Sequence, residues 1–218
     1  MTLISLGFLT NLAALLESPP DSASPLSGRT LVATKVRELV VMGGRYPQGG
    51  WEYNFAGVDP NSTRAVVNGW PRAVPLTFVG YELGKPIMSG GQLPELASRD
   101  SPVLAAYQWY VGRCKTARES WDPLAVLYGV VSLGDLPAFL KAEGSGQGPL
   151  FIYANKGGRN SISEDGTNTW VDDAGVTNQH WLQIGRGWGN ISVAELIDQL
   201  LASGPGDGNK THNERDEL

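Results

Sequence analysis

Leu39-Val40-Val41-Met42-Gly43-Gly44, continued by Trp51-Glu52-Tyr53-Asn54-Phe55 and by Val58-Asp59-Pro60, is the stretch on which the fold of this chain turns. An unbroken apolar run that stops at paired glycines has the character of a strand buried on both faces, and such strands belong to parallel sheets covered by helices. Asp59-Pro60 then offers a helix start, a carboxylate to cap the free N–H groups and a proline preset for the first turn. Residues 61–67 follow with the apolar spacing of an amphipathic helix. Strand, polar and aromatic loop, then helix make one unit of an α/β fold.

The alternation extends both ways. Upstream, residues 3–6 form a strand-like run, apolar but for Ser5, that breaks at Gly7, and Thr10 opens a helical pattern with Leu12, Leu15 and Leu16 on one face. Downstream, residues 76–79 read as a strand and residues 102–111 as an amphipathic segment. The pattern predicts an α/β domain with a mostly parallel, open sheet flanked by helices. Phe151-Ile152-Tyr153, a turn region rich in Gly, Asn, Ser and Asp, and Thr169-Trp170-Val171 predict a β-hairpin excursion near the C-terminal part. A short strand at 181–184 and a helix over 192–201 close the domain, with Ser192 as the expected cap and Glu195 at capping-box spacing. Residues 1–202 read as one domain; the tail 203–218 is polar, lacks periodicity and is expected to be disordered. The apolar run at 1–6 has the character of a strand with neighbours on both sides, so N-terminal strands of the sheet are expected to be missing.

Composition narrows the function classes. A chain of 218 residues, 41% hydrophobic, can bury one sizeable core. A net charge of -5 and a pI near 5.1, with no dense Lys/Arg run, argue against a nucleic acid polymer as partner. No run of apolar residues is long enough for a membrane span, and no secretory signal is expected at the N-terminus. The single cysteine, Cys114, cannot form an internal disulfide and is expected as a buried thiol at the end of the apolar stretch 103–114. With His180 and His212 as the only imidazoles, any metal should be a hard cation held by oxygen. Homo-oligomerisation stays open.

Three segments, in order, carry a resemblance. They are Leu6-Gly7-Phe8-Leu9-Thr10-Asn11-Leu12-Ala13; the Met42-Gly43-Gly44, Glu52-Tyr53-Asn54-Phe55 and Asp59-Pro60 elements; and Ser120-Trp121-Asp122-Pro123-Leu124-Ala125-Val126. Together they are similar to the C-terminal portion of nucleoside hydrolases of the inosine-uridine-preferring family. The resemblance implies a nucleoside-hydrolase-like fold, a small-molecule nucleoside as ligand, cleavage of its N-glycosidic bond, and a calcium ion. It assigns metal binding to the Leu6 backbone carbonyl and to Asp122, the ribose 5'-hydroxyl to Glu52 and the 2'-hydroxyl to Asn54. As residues i and i+2 of an extended segment, Glu52 and Asn54 would point to one side and reach a sugar together. Trp121 stands where many members have a histidine that protonates the leaving base. Indole carries only a donor N–H and cannot do so; it could stack on the base instead, or simply pack near a helix start. Asp122-Pro123 likewise admits two readings, a helix cap or a metal ligand. Arg45-Tyr46-Pro47-Gln48-Gly49-Gly50 departs from the family's Gly-Asn-x-Thr-Pro stretch and puts recognition of the 5'-hydroxyl in doubt.

Hydrolysis of an N-glycosidic bond needs an activated water and help for the leaving base. The family's N-terminal aspartate cluster, which holds calcium and supplies the base, is absent here. Asp172-Asp173 is the only adjacent pair and reads as a turn. No catalytic residue is therefore assigned. Little or no hydrolase activity is expected of these residues alone, and calcium is not expected to be retained. The alternative is a non-catalytic remnant that binds nucleoside, ribose or a partner. Arg215-Asp216-Glu217-Leu218 resembles an endoplasmic-reticulum retrieval signal, which leaves the compartment open between cytoplasm and secretory pathway.

Overall fold

The structure is a computed structural model, described here for residues 1–140 and 146–203. In chain order the elements are β1 (Thr2–Ser5), α1 (Thr10–Glu17), α2 (Gly28–Lys35), β2 (Glu38–Met42), α3 (Tyr53–Ala56), α4 (Pro60–Gly69), β3 (Leu76–Val79), α5 (Tyr81–Gly84) and β4 (Met88–Ser89). There follow α6 (Leu93–Leu96), α7 (Pro102–Tyr110), β5 (Arg118–Glu119), α8 (Trp121–Val131), β6 (Phe151–Tyr153), β7 (Arg159–Ile162), β8 (Asn168–Val171), β9 (Gln179–Ile184) and α9 (Asn190–Ala202). The tail expected to be disordered lies, from residue 204 on, outside the described residues.

A five-stranded sheet in the order β1-β2-β3-β9-β6 forms the centre; its first four strands run parallel and β6 pairs antiparallel with β9. The mostly parallel sheet read from the sequence is thus present. Every residue of β2 is buried, and its side chains alternate between two cores. Leu39 and Val41 join Leu76 and Phe78 against Leu9, Leu16, Val32 and Val66 of the α1, α2, α4 side. Val40 and Met42 join Val79 against Leu124, Tyr128 and Leu196 of the α8, α9 side. Coverage on both faces is why β2 reads as a continuous apolar run.

Local chemistry sets the helix starts. Asp59 caps α4 as its sequence context implied, its Oδ1 accepting from the Asn61 and Ser62 N–H groups at 3.1 and 3.2 Å with Pro60 at the first helical position. The second Asp-Pro pair behaves differently. Ser120, not Asp122, holds the cap position of α8, two residues earlier, where the chain leaves the short β4–β5 ladder; its side chain makes no capping bond and gives its hydroxyl to Ser89 Oγ at 2.7 Å. The last helix also starts earlier than expected. Gly189 is its cap, and Ser192 lies in the first turn, where its Oγ accepts from the Gly189 N–H at 3.1 Å.

Three further expectations need correcting. The hairpin exists, but its strands are β7 and β8; Phe151–Tyr153 instead extends the main sheet beside β9. The sequence signal was misread because the alternation of β7 is carried by polar residues, Asn160 and Ser161 among them. Cys114 is exposed, lying beyond the end of α7. Residues 2–5 form an edge strand with a single neighbour, and Ile4 is 37% exposed, its far end resting on Gly129 of α8.

Candidate functional site

The loops after β1, β2 and β3, with α7, β5 and the start of α8, enclose a cleft of about 320 Å³. Leu6, Glu52, Asn54, Trp121 and Asp122 all line it, joined by Arg45, Trp51, Tyr53, Tyr81, Tyr110 and Arg118. An adjoining recess of about 270 Å³ shares Tyr110, Arg118, Trp121 and Asp122. The five residues singled out from sequence therefore meet in one place, at the C-terminal ends of parallel strands where open α/β sheets present their ligands.

How each residue sits there differs from the sequence expectation. Glu52 and Asn54 do not share an extended segment. Glu52 is the cap of the short helix α3 and Asn54 lies inside that helix. The buried Glu52 carboxylate accepts the backbone N–H groups of Gly44 and Asn54 at 3.0 Å each and of Phe55 at 3.2 Å, so both oxygens are engaged with the chain itself. Burial pushes its pKa up, partly offset by those N–H bonds. Asn54 donates from Nδ2 to the Met42 carbonyl at 3.0 Å, an arrangement that turns its amide toward the end of β2 and leaves Oδ1 unpaired among the described residues.

Asp122, relieved of capping, accepts no hydrogen bond among the described residues, and its side chain is exposed to the cleft. Partial burial raises its pKa, with the Arg118 guanidinium pulling the other way. Trp121 donates its indole N–H to the Tyr81 carbonyl at 2.8 Å and stacks on the Tyr81 ring, centres 5.4 Å apart at 26°. Gly84 permits that approach: a Cβ there would lie 2.4 Å from Trp121 Cδ1. Packing and a role on the cleft wall are thus compatible for this residue.

The hairpin has a task that its sequence did not disclose. Asn168 of β8 accepts the Arg45 N–H at 2.8 Å and donates to the Arg45 carbonyl at 3.0 Å, a two-point clamp on the loop after β2. Asn160 of β7 donates to the Tyr46 hydroxyl at 2.6 Å and accepts from Asn168 at 3.1 Å. Both asparagines are buried, where unpaired amides would be costly, so the network fixes the loop. Sequence reasoning missed Tyr81, Tyr110 and Arg118. Arg118 stands beside the Ser120-Trp121-Asp122 motif and could have been found by that proximity, whereas Tyr81 and Tyr110 gave no local signal.

The donor set does not fit a calcium ion. Among the described residues no group of three or more His, Cys, Asp or Glu side chains converges. In the cleft Glu52 is saturated by backbone N–H groups, Asp122 is the one carboxylate left free, and two guanidiniums line the same walls. Calcium prefers six to eight oxygens, roughly, and a site without opposing cations.

The architecture with this cleft defines a nucleoside-hydrolase-like α/β fold. Among solved structures it is similar to a plant nucleoside hydrolase, with a TM-score of 0.61 and 20% identity over 93% of this chain and 62% of the other. It also matches an inosine-uridine-preferring nucleoside hydrolase from Bacillus anthracis (TM-score 0.48, 16% identity, 91% and 60% covered) and the effector protein XOO4466 (0.49, 15%, 93% and 60%). This chain spans about three-fifths of the length of each. No family model and no curated protein matches it.

Proposed function

We propose that the cleft binds a nucleoside or a close relative of one, and that the 218 residues by themselves have little or no ability to hydrolyse its N-glycosidic bond. The observation that carries the binding half is the convergence of Leu6, Asn54, Trp121 and Asp122, drawn from three separated motifs, on one cleft with exposed aromatic rings. Asn54 Oδ1 and the Asp122 carboxylate can accept from ribose hydroxyls, and the Trp121 and Tyr110 rings can stack on a base. The low-activity half rests on chemistry: Trp121 has no titrating proton for the leaving base, Glu52 is held by the backbone, and the donors present do not make a calcium site. The fold similarity supports the ligand class, since the similar plant structure is a nucleoside hydrolase.

Calorimetric titration with inosine and uridine tests binding, and release of reducing sugar with added calcium or with EDTA tests hydrolysis. Saturable binding with no sugar release is the expected result. Calcium-dependent sugar release by the purified chain would refute the low-activity half, and failure of every nucleoside to bind would refute the rest.

A further inference from the structure

One wall of the cleft alternates guanidiniums with aromatic rings. The Arg45 guanidinium lies 4.2 Å from the centre of the Tyr81 ring, Tyr81 stacks on Trp121 at 5.4 Å, and the Arg118 guanidinium lies 5.9 Å from the Trp121 ring and 4.7 Å from that of Tyr110. Stacking uses the face of a guanidinium and leaves its N–H edge for hydrogen bonds, the arrangement in which arginine recognises phosphate. Among the described residues neither cation has a carboxylate closer than 3.6 Å; Arg45 gives Nε to the Trp51 carbonyl at 2.8 Å and Arg118 gives Nη2 to the Tyr110 hydroxyl at 3.3 Å, and the other N–H groups keep no closer partner. Arg45 Nη1 is 3.9 Å from Glu82 and Arg118 Nη1 3.6 Å from Glu119, long and solvent-exposed pairs of the kind that contribute little.

Position distinguishes the two arginines. Arg45 follows directly on Gly44, whose N–H is spent on Glu52, and its backbone is clamped on both sides by Asn168. The group that the resemblance assigns to a ribose 5'-hydroxyl, Glu52, is turned inward and engaged, while the Arg45 side chain lines the same cleft from the loop that Asn168 holds. Arg118, at the other end of that wall, adds positive charge near the adjoining recess, offset there by Asp122.

We propose that the cleft takes nucleoside 5'-monophosphates in preference to nucleosides, the base stacking along the Trp121 side of the ladder and the phosphate meeting Arg45. This deepens the nucleoside-binding reading and rests on it. Glu82 yields Arg45 to the phosphate, since a dianion at hydrogen-bond distance outcompetes a carboxylate at 3.9 Å. The aromatic ladder supplies affinity for the ring, and the cation at its end supplies the discrimination.

The test is calorimetric titration of the full chain with inosine, inosine 5'-monophosphate, ribose 5-phosphate and inorganic phosphate, at low and high salt. The monophosphate is expected to bind roughly tenfold or more tighter than inosine, the advantage expected of a charge-assisted contact, and that advantage should shrink as salt is raised. Arg45→Met, which keeps an apolar stem over Tyr81, should lower affinity for the monophosphate more than affinity for inosine and so abolish the advantage; Arg118→Met should reduce it less. Should Arg45→Met not fold, the salt dependence of the wild-type preference decides. Inosine binding as tightly as its monophosphate would overturn the proposal and leave nucleoside binding standing. Ribose 5-phosphate binding as tightly as the monophosphate would overturn the stacking component, and no binding by any of the four would overturn both readings.

Discussion

Glu52 offers a sharp separation between a residue that serves a ligand and one that serves the chain. Its carboxylate accepts three backbone N–H groups at 3.0, 3.0 and 3.2 Å, two from the start of α3 and one from Gly44 at the start of the loop after β2. Glu52→Ala leaves all three without a partner. A buried donor stranded in this way costs about 1–3 kcal/mol. The mouth of α3 is near solvent at Tyr53, which is 58% exposed, so water recovers part of the loss at the part-buried Asn54 N–H. The net expectation is a destabilisation of about 3 kcal/mol, a large fraction of the margin of an ordinary domain. Glu52→Gln keeps one oxygen in the two-bond position and sets an amide donor against the third N–H, for a cost of about 1 kcal/mol.

Urea unfolding followed by tryptophan fluorescence reads both values, provided the slope with denaturant stays constant. A pH series adds a sign. Burial holds the folded Glu52 pKa above 4.5, so its protonated form suits the native state; the corresponding stability is present in acid and is lost as pH rises through the folded pKa. Wild type should therefore gain on Glu52→Gln as pH falls from neutrality toward 4.5. If Glu52→Ala costs less than about 1 kcal/mol while nucleoside affinity falls about tenfold, the carboxylate belongs to the ligand and the structural account of it is wrong.

Gly84→Ala would place a Cβ 2.4 Å from Trp121 Cδ1 and 2.6 Å from its Cα, overpacking worth about 1–3 kcal/mol; displacement of the indole should also weaken nucleoside binding in the same titration. His180 stacks on Tyr153 at 3.8 Å near Glu38 and Asn155, and burial lowers its pKa below 6.5, so the unfolded chain takes up the proton first. The stability it contributes is complete above that pH and erodes below it, and His180→Phe should flatten the fall in urea midpoint between neutral and mildly acid pH. Nucleoside affinity should be the same in EDTA and in millimolar calcium, because among the described residues Asp122 is the only free carboxylate that lines the cleft; a clear gain with calcium would show that a cation site forms.

Most of the fold was legible because burial on both faces leaves an unmistakable trace. The runs that became β2 and β3 are apolar but for Glu38 and Thr77, and Asp59-Pro60 and the 61–67 spacing mark α4 within a residue or so of its observed start. What failed were features whose apolar signal is weak or shared. The strand β7 is built on Asn160 and Ser161, residues whose propensity favours turns, and it is held in place by hydrogen bonds to Gln179, Tyr46 and Asn168. Tertiary partners of that kind override propensity and leave no periodicity to read. Ser120 and Asp122 both qualify as caps by residue type, and the choice between them was made by a pairing partner, Ser89, distant in sequence.

The candidate site was legible in its membership but not in its allegiances. Order and spacing brought Leu6, Glu52, Asn54, Trp121 and Asp122 into one cleft, because motifs at the ends of adjacent parallel strands must meet there. Residue type alone leaves open whether a carboxylate faces a ligand or a helix start, since the same oxygens accept from a hydroxyl or from a backbone N–H with similar geometry. The surrounding donors decide the matter. Three of them converge on Glu52 and none on Asp122 among the described residues, so the residue that the motif would lend to the sugar is spent on the loop, and the one that capping chemistry would claim is left for the cleft. The guanidinium of Arg45 follows the same logic: it lies 4.2 Å from the centre of the Tyr81 ring, gives Nε to the Trp51 carbonyl and meets Glu82 only at 3.9 Å, so its partners, not its residue type, set how many donors it keeps for a ligand.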